Sequence, residues 1–148
     1  MATLALIGMV LFAVLMLFMS ITDGTQESIS AYAKKWRWLL LVALWSQILI
    51  LPQMITITAS CWQFLCFMGI GMIIFCGGAS IFETSDMKFH MVCAVFAFLF
   101  LSAWVIIINP YMLLPLIICA CIGLENLVLR LETGLIISVY TTLMLSII

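Results

Sequence analysis

Apolar runs of about twenty residues follow one another along this chain, with only short polar breaks between them. A helix rises about 1.5 Å per residue, so about 20 apolar residues cross the hydrocarbon core of a bilayer. Such runs occupy nearly all of the 148 residues. The longest polar stretch, Thr22 to Lys35, is too short to bury a core of its own. Charged residues make up 7% of the chain, against about a quarter of a soluble domain. The pattern predicts an all-α, polytopic integral membrane protein: one transmembrane domain over residues 1–148, built as a six-helix bundle.

The predicted spans cover about 3–21, 36–54, 61–82, 89–108, 111–125 and 130–148. Residues 3–21 read as a retained span rather than a cleaved leader. No Lys or Arg precedes the run, and no small-x-small site precedes Asp23. Trp36 and Trp38 open span two as interfacial anchors, and Pro52 kinks or ends it. The Asn109-Pro110 pair breaks the chain into a turn. Span five is the short one, with about 14 apolar residues before Glu125. It is expected to be thin, tilted or re-entrant, and re-entry leaves five spans.

Six spans place Lys34, Lys35, Arg37, Lys88 and Arg130 on one face and no Lys or Arg on the other. Positive residues in short loops stay cytoplasmic. The charged loops are therefore expected on the cytoplasmic side of a cell inner membrane, with both termini outside. If span five does not cross, the C-terminus moves inside. No basic tail or patch offers a footprint for nucleic acid.

Gly71 and Gly78 are seven apart and share a face of span three. Small residues let membrane helices approach closely, so spans three and four are expected at the centre. His90, the only histidine, heads span four. With Ala94, Ala97, Leu101 and Trp104 it forms one stripe by three- and four-residue steps. The two alanines mark a lane for close helix packing. Imidazole exchanges protons near neutrality, which is the functional reading of His90; a cap bonded to a carbonyl or water is the plain one.

Glu132 stands in the first turn of span six, where the helix dipole favours a carboxylate, and it can meet His90 across helices. Asp86 and Arg130 share that rim. The acids Glu83, Asp86, Glu125 and Glu132 can converge there, but no ligand spacing argues for a metal. Gln47 lies near the middle of span two, and an amide at that depth wants a partner on another helix. Ser102, Ser138, Thr141 and Thr142 can bond back to their own helix. Cys61, Cys66, Cys76, Cys93, Cys119 and Cys121 all lie in or beside apolar runs and read as small packing residues.

No nucleophile–base–orienter set, zinc motif or phosphate loop is present, so no enzyme and no cofactor is expected. A lone histidine is poor support for haem.

One further set of residues has a familiar order. It runs Pro52, then Trp62-Gln63-Phe64-Leu65-Cys66-Phe67, then Gly71…Phe75-Cys76-Gly77-Gly78-Ala79…Phe82, then Phe89-His90…Ala94, then Trp104. It resembles a group of small bacterial membrane proteins and, more distantly, the DRAM/FGF-receptor-activating-protein-like six-helix group. In that group a His followed four residues later by Ala opens the fourth helix after a Gly-rich third; His90 and Ala94 match. Leu131-Glu132 matches an acid in the first turn of the last helix. Ser80 departs from an expected proline and Met91 from an expected aromatic. The resemblance covers roughly 36–148, implies six helices, draws attention to His90 and implies no activity.

The expectation is a non-enzymatic membrane protein that binds a hydrophobic ligand, a lipid or a membrane partner, including a second copy of itself. His90, Glu132, Asp86 and Arg130 form the candidate rim. The alternatives are a small transporter or proton-coupled carrier, which needs polar groups at mid-membrane, and an oligomeric holin-like pore.

Overall fold

The computed structural model describes residues 1–24, 26, 29–82, 88–122 and 127–147. Among them there is no strand. We label the helices α1 (Ala2–Asp23), α2 (Ala33–Ile57), α3 (Gln63–Phe82), α4 (Lys88–Ile108), α5 (Leu114–Ile122) and α6 (Leu127–Ile147). Short 3-10 turns at Ile29–Tyr32, Ser60–Trp62 and Pro110–Leu113 lead into α2, α3 and α5.

All but α5 are long and apolar enough to cross a membrane. α5 has 9 residues, a rise of about 14 Å, roughly half the hydrocarbon thickness. The helix is described as far as Ile122, and the expected end at Glu125 lies outside the described residues. Asn109 ends α4 as expected. It adopts an extended backbone, and its Oδ1 accepts the Tyr111 N–H at 3.1 Å.

Neighbours in sequence pack antiparallel, apart from α4 and α5. Gly8 of α1 meets Ser46 and Leu49 of α2, while Phe18 meets Trp36. Gly77 of α3 meets Leu44, and Gly69 meets Leu101 of α4. Gly134 of α6 meets Leu116 and Cys119 of α5. α6 also reaches α1, with the Phe12 and Tyr140 rings edge-on at 6.2 Å. The five long helices thus enclose an interior, and α5 lies outside it against α6.

The close contacts correct the expected packing face. A Cβ on Gly71 or Gly78 would meet nothing described within 4 Å. On Gly69 it would lie 2.7 Å from the Leu101 side chain, and on Gly77 3.2 Å from Leu44. The seven-residue spacing found a genuine shared face, but one that faces away from the neighbours. Sequence spacing alone cannot tell the two sides of a helix that is apolar all round.

α5 is held by Arg130 and Gly134, one four-residue step apart on a stripe of α6 that Ser138 and Thr142 continue. Gly134 lets the Leu116 backbone approach, a Cβ there lying 2.8 Å from Leu116 Cα. Arg130 Nη1 donates to Ala120 O at 2.9 Å. A cation on the last carbonyls of a helix offsets their partial negative charge. Thr141 and Thr142 bond back to Ile137 O and Ser138 O at 2.7 and 2.8 Å, as expected. The Ser102 and Ser138 hydroxyls do not; neither has a partner among the described residues.

α2 changes winding where Pro52 forces it to. Proline has no N–H and its ring crowds the carbonyl four residues back. Residues Ser46–Ile50 tighten to a 3-10 turn, and α-helix resumes at Leu51. Pro52 therefore neither ends the span nor stands alone; the strain is taken up by the turn before it, which carries Gln47. Trp38 is exposed, as an anchor would be. Trp36 instead sits at a kink (φ −117°, ψ 34°) with its ring 5.5 Å from Phe18, and its indole N–H has no described partner.

Polar and apolar side chains are distributed the opposite way to a water-soluble protein. Ser46, Gln47, Gln53, Thr58, His90, Ser138 and Thr142 are buried. Large apolar side chains cover the outside, among them Val10, Val14, Phe67, Phe75, Val92, Val95, Leu99 and Leu145. An apolar exterior of this extent is foreign to soluble monomers.

Candidate functional site

The stripe on α4 meets α3 at His90 and Leu101, and it also borders a cavity. His90, Ala94, Ala97 and Leu101 line this cavity of about 110 Å³. Phe12 of α1, Leu44 and Gln47 of α2, and Ile73 and Cys76 of α3 form its other walls. Ile29, Phe98 and three residues of α6 (Glu132, Leu135 and Ile136) complete it. Alanines on one helix leave the volume, and branched residues on the others keep it apolar. α5 contributes nothing to the lining.

The polar groups gather toward one end. His90 is 2% exposed. Its Nδ1 lies 3.0 Å from Cys76 O, a separation that makes Nδ1 the protonated nitrogen donating to that carbonyl. Cys76 Sγ is 3.4 Å from both ring nitrogens. The thiol thus lies over the imidazole ring rather than in line with either nitrogen.

Glu132 stands on the same cavity, but past the first turn of α6, which is already helical at Leu127, so the expected first-turn place is not where it lies. Its Oε2 accepts the Ile29 N–H at 2.7 Å, which pins the turn between α1 and α2 to the last helix. The expected meeting of His90 and Glu132 is therefore indirect. They share one cavity, but each bonds elsewhere: the imidazole to α3, the carboxylate to Ile29. Arg130 points away, to α5, and lines no part of the cavity. Asp86, Glu83 and Glu125 lie outside the described residues.

Gln47 marks the deep end. Its Oε1 accepts the Tyr140 hydroxyl at 2.7 Å, and its Nε2 is 3.4 Å from Ser46 Oγ. This is the partner on another helix that a buried amide was expected to need. A second cavity of about 20 Å³ lies on the far side of this pair, sharing Gln47, Ile73, Leu101, Leu135 and Ile136 with the first. Past it, Met9, Ile50, Met54, Cys66, Ile70, Trp104, Val139 and Leu143 pack into one core. Within that core Trp104 Nε1 donates to Thr58 Oγ1 at 2.8 Å, and Cys66 Sγ lies 3.5 Å from the same oxygen.

No family model matches the chain, and no curated protein or solved structure matches it. The likeness to the six-helix group thus rests on the residues quoted for it, and the site is read from its own chemistry.

Tyr140, Cys76 and the Ile29 N–H were not singled out from sequence. Tyr140 had a signal: Glu132, Ile136 and Tyr140 recur at four-residue steps on one side of α6. The Gly134 stripe had the same signal on the opposite side. Cys76 had none, since nothing local distinguishes it from five other cysteines. Among the described residues no three His, Cys, Asp or Glu side chains stand together as metal donors. All six cysteines are free.

Proposed function

We propose that this chain is a non-enzymatic integral membrane protein that takes a small hydrophobic ligand, or one end of a lipid chain, into the bundle at its charged end. His90 and Glu132 stand on the polar part of the site, and Gln47, held by Tyr140 from behind, forms its floor. The charged loops face the cytoplasm by the positive-inside rule.

The observation that carries the reading is the cavity beside His90, apolar over most of its wall and closed beyond Gln47 by a packed core. Its size sets the ligand. An apolar protein cavity of about 150 Å³ admits benzene. A cavity of about 110 Å³ suits one ring or a chain of about six carbons, so a whole acyl chain does not fit. The membrane itself is supported by the inverted surface, apolar outside with buried Gln, Ser and Thr. A carrier would need a route through the other half of the bundle, where Ile50, Ile70, Trp104 and Val139 pack together.

The reading is tested with the full chain in lipid nanodiscs. Ligand-observed magnetic resonance with n-hexanol is expected to show a saturable component above that of empty discs. Ala97→Phe, which fills the cavity, is expected to remove it. Equal binding by the parent and the filled variant overturns the reading.

A further inference from the structure

We infer that the cavity selects a ligand with a cationic, hydrogen-bond-donating head, a small hydrophobic amine, and that Glu132 is the group that recognises it. This rests on the cavity reading above and adds the chemistry of the head.

The argument starts from charge. The chain has five Lys and Arg residues, and all five are accounted for. Lys34, Lys35, Arg37 and Lys88 are exposed, and Arg130 reaches to Ala120 O. Lys35 pairs with Asp23 at 2.8 Å, the one ion pair among the described residues. No Lys or Arg lines the cavity, yet a carboxylate does. Glu132 has one hydrogen bond, from Ile29 N to Oε2, which leaves Oε1 as an acceptor without a described partner. An ionised carboxylate withdrawn from water is costly unless a cation or several donors meet it.

The second strand is the inventory of donors. His90 places its Nδ1 proton on Cys76 O, so it does not direct that proton at Glu132. The acceptor that the polar end presents to a ligand is Glu132 Oε1. A primary ammonium supplies three donors and the missing positive charge in one compact group. The apolar part then lies between Ala94, Ala97, Leu101 and Ile136, in a volume that limits it to about six carbons. An anionic head would face Glu132 with like charge, and a neutral hydroxyl would meet it with one donor.

The test compares three probes of equal chain length: n-hexylamine, n-hexanol and hexanoate. Each is titrated at neutral pH onto the full chain in zwitterionic nanodiscs, with empty discs subtracted. Hexylamine is expected to bind at least tenfold more tightly than hexanol. Glu132→Gln keeps an oxygen for the Ile29 N–H but loses the charge. It is expected to remove the advantage of the amine, bringing hexylamine to the level of hexanol measured on the same variant. Ala97→Phe is expected to block both, which places the binding in the cavity. Equal affinity for hexylamine and hexanol, a preference for hexanoate, or an amine preference that survives Glu132→Gln overturns the inference and leaves the cavity reading standing. Absence of saturable binding by any of the three overturns both. Helical content and melting of each variant are compared with the parent; if Glu132→Gln unfolds, the ranking of the three probes on the unmodified chain decides alone.

Discussion

The Tyr140 hydroxyl donates to Gln47 Oε1 at 2.7 Å, tying the last helix to the tightened turn in the middle of α2. A buried amide and a half-buried hydroxyl on different helices satisfy each other behind the floor of the cavity. Removing one strands the other, whereas removing both leaves two apolar surfaces. Tyr140→Phe and Gln47→Leu are each expected to destabilise the bundle. Their double-mutant cycle should give a coupling of about 0.6 kcal/mol, and no more than about 1.7, the range for such pairs between membrane helices. Reversible unfolding in mixed micelles measures it. A coupling below about 0.3 kcal/mol, the scatter of independent sites, would show that the pair does not act as a unit.

The glycines divide into two classes with opposite expected signs. Gly134→Ala drives a methyl against the Leu116 backbone, 2.8 Å from its Cα, and backbone cannot move aside cheaply. It is expected to cost about 1–3 kcal/mol, as overpacking usually does. Gly71→Ala meets nothing described within 4 Å and is expected to be neutral or to stabilise by up to about 1 kcal/mol, the helix-propensity difference. Thermal melts of the two variants side by side test the assignment. The reverse order would return Gly71 to the packing face.

Much of the architecture was legible because apolar runs long enough to cross a bilayer leave few choices. Runs long enough to cross it must be helices, since every backbone group has to be bonded within its own segment. The expected spans and the observed helices differ by a few residues at their ends, apart from α5. Direction around each helix was not legible. Gly71 and Gly78 were chosen over Gly69 and Gly77 because α3 is apolar on every side, and a hydrophobic pattern orients a helix only when one face is polar. The stripe from His90 to Leu101 was found, but not the cavity that Ala94 and Ala97 border beside the α3 contact. Whether small residues admit a backbone or leave a void depends on the side chains opposite, here Phe12, Ile73 and Ile136, which are distant in sequence. Glu132 and His90 were legible as individuals because ionisable groups are rare in such a chain. Their partners, a backbone N–H and a carbonyl, carry no sequence signal.

Glu132 also fastens the turn that follows α1. Its bond to Ile29 N bridges 103 positions of chain. Glu132→Ala is expected to raise amide hydrogen exchange across Ile29–Tyr32, while Glu132→Gln, which keeps an acceptor, should leave it close to the parent. Equal exchange in the parent and the alanine variant would show that the turn is held by other contacts.

Thr58 closes the opposite end of the bundle. Its hydroxyl donates to Met54 O and accepts from Trp104 Nε1, and both residues are buried. Thr58→Val has nearly the same shape but leaves a fully buried indole N–H unpaired. The expected cost is about 1–3 kcal/mol. Thr56→Val is the control: that hydroxyl is exposed and bonds only within its own helix, so the change should stay within about 0.5 kcal/mol. If the two valine variants melt together, the Trp104 bond contributes nothing measurable.

Orientation can be tested with a cysteine already in place. Cys61 is exposed in the turn Ser60–Trp62, at the end of the bundle remote from Lys34 and Lys35. The positive-inside rule puts that turn outside and the lysines in the cytoplasm. A variant that retains Cys61 alone should react with a membrane-impermeant maleimide added to intact cells. A Lys34→Cys change in a cysteine-free background should react only once the membrane is opened, since Lys34 is exposed at the other end. The opposite pattern would reverse the orientation and leave the bundle intact. Labelling of both from outside would be more serious. One α-helix of 25 residues, α2, separates the two positions, and its rise of about 38 Å exceeds the hydrocarbon thickness of about 30 Å. If both its ends face the same solution, α2 does not cross the bilayer, and the membrane-spanning reading of the bundle fails with it.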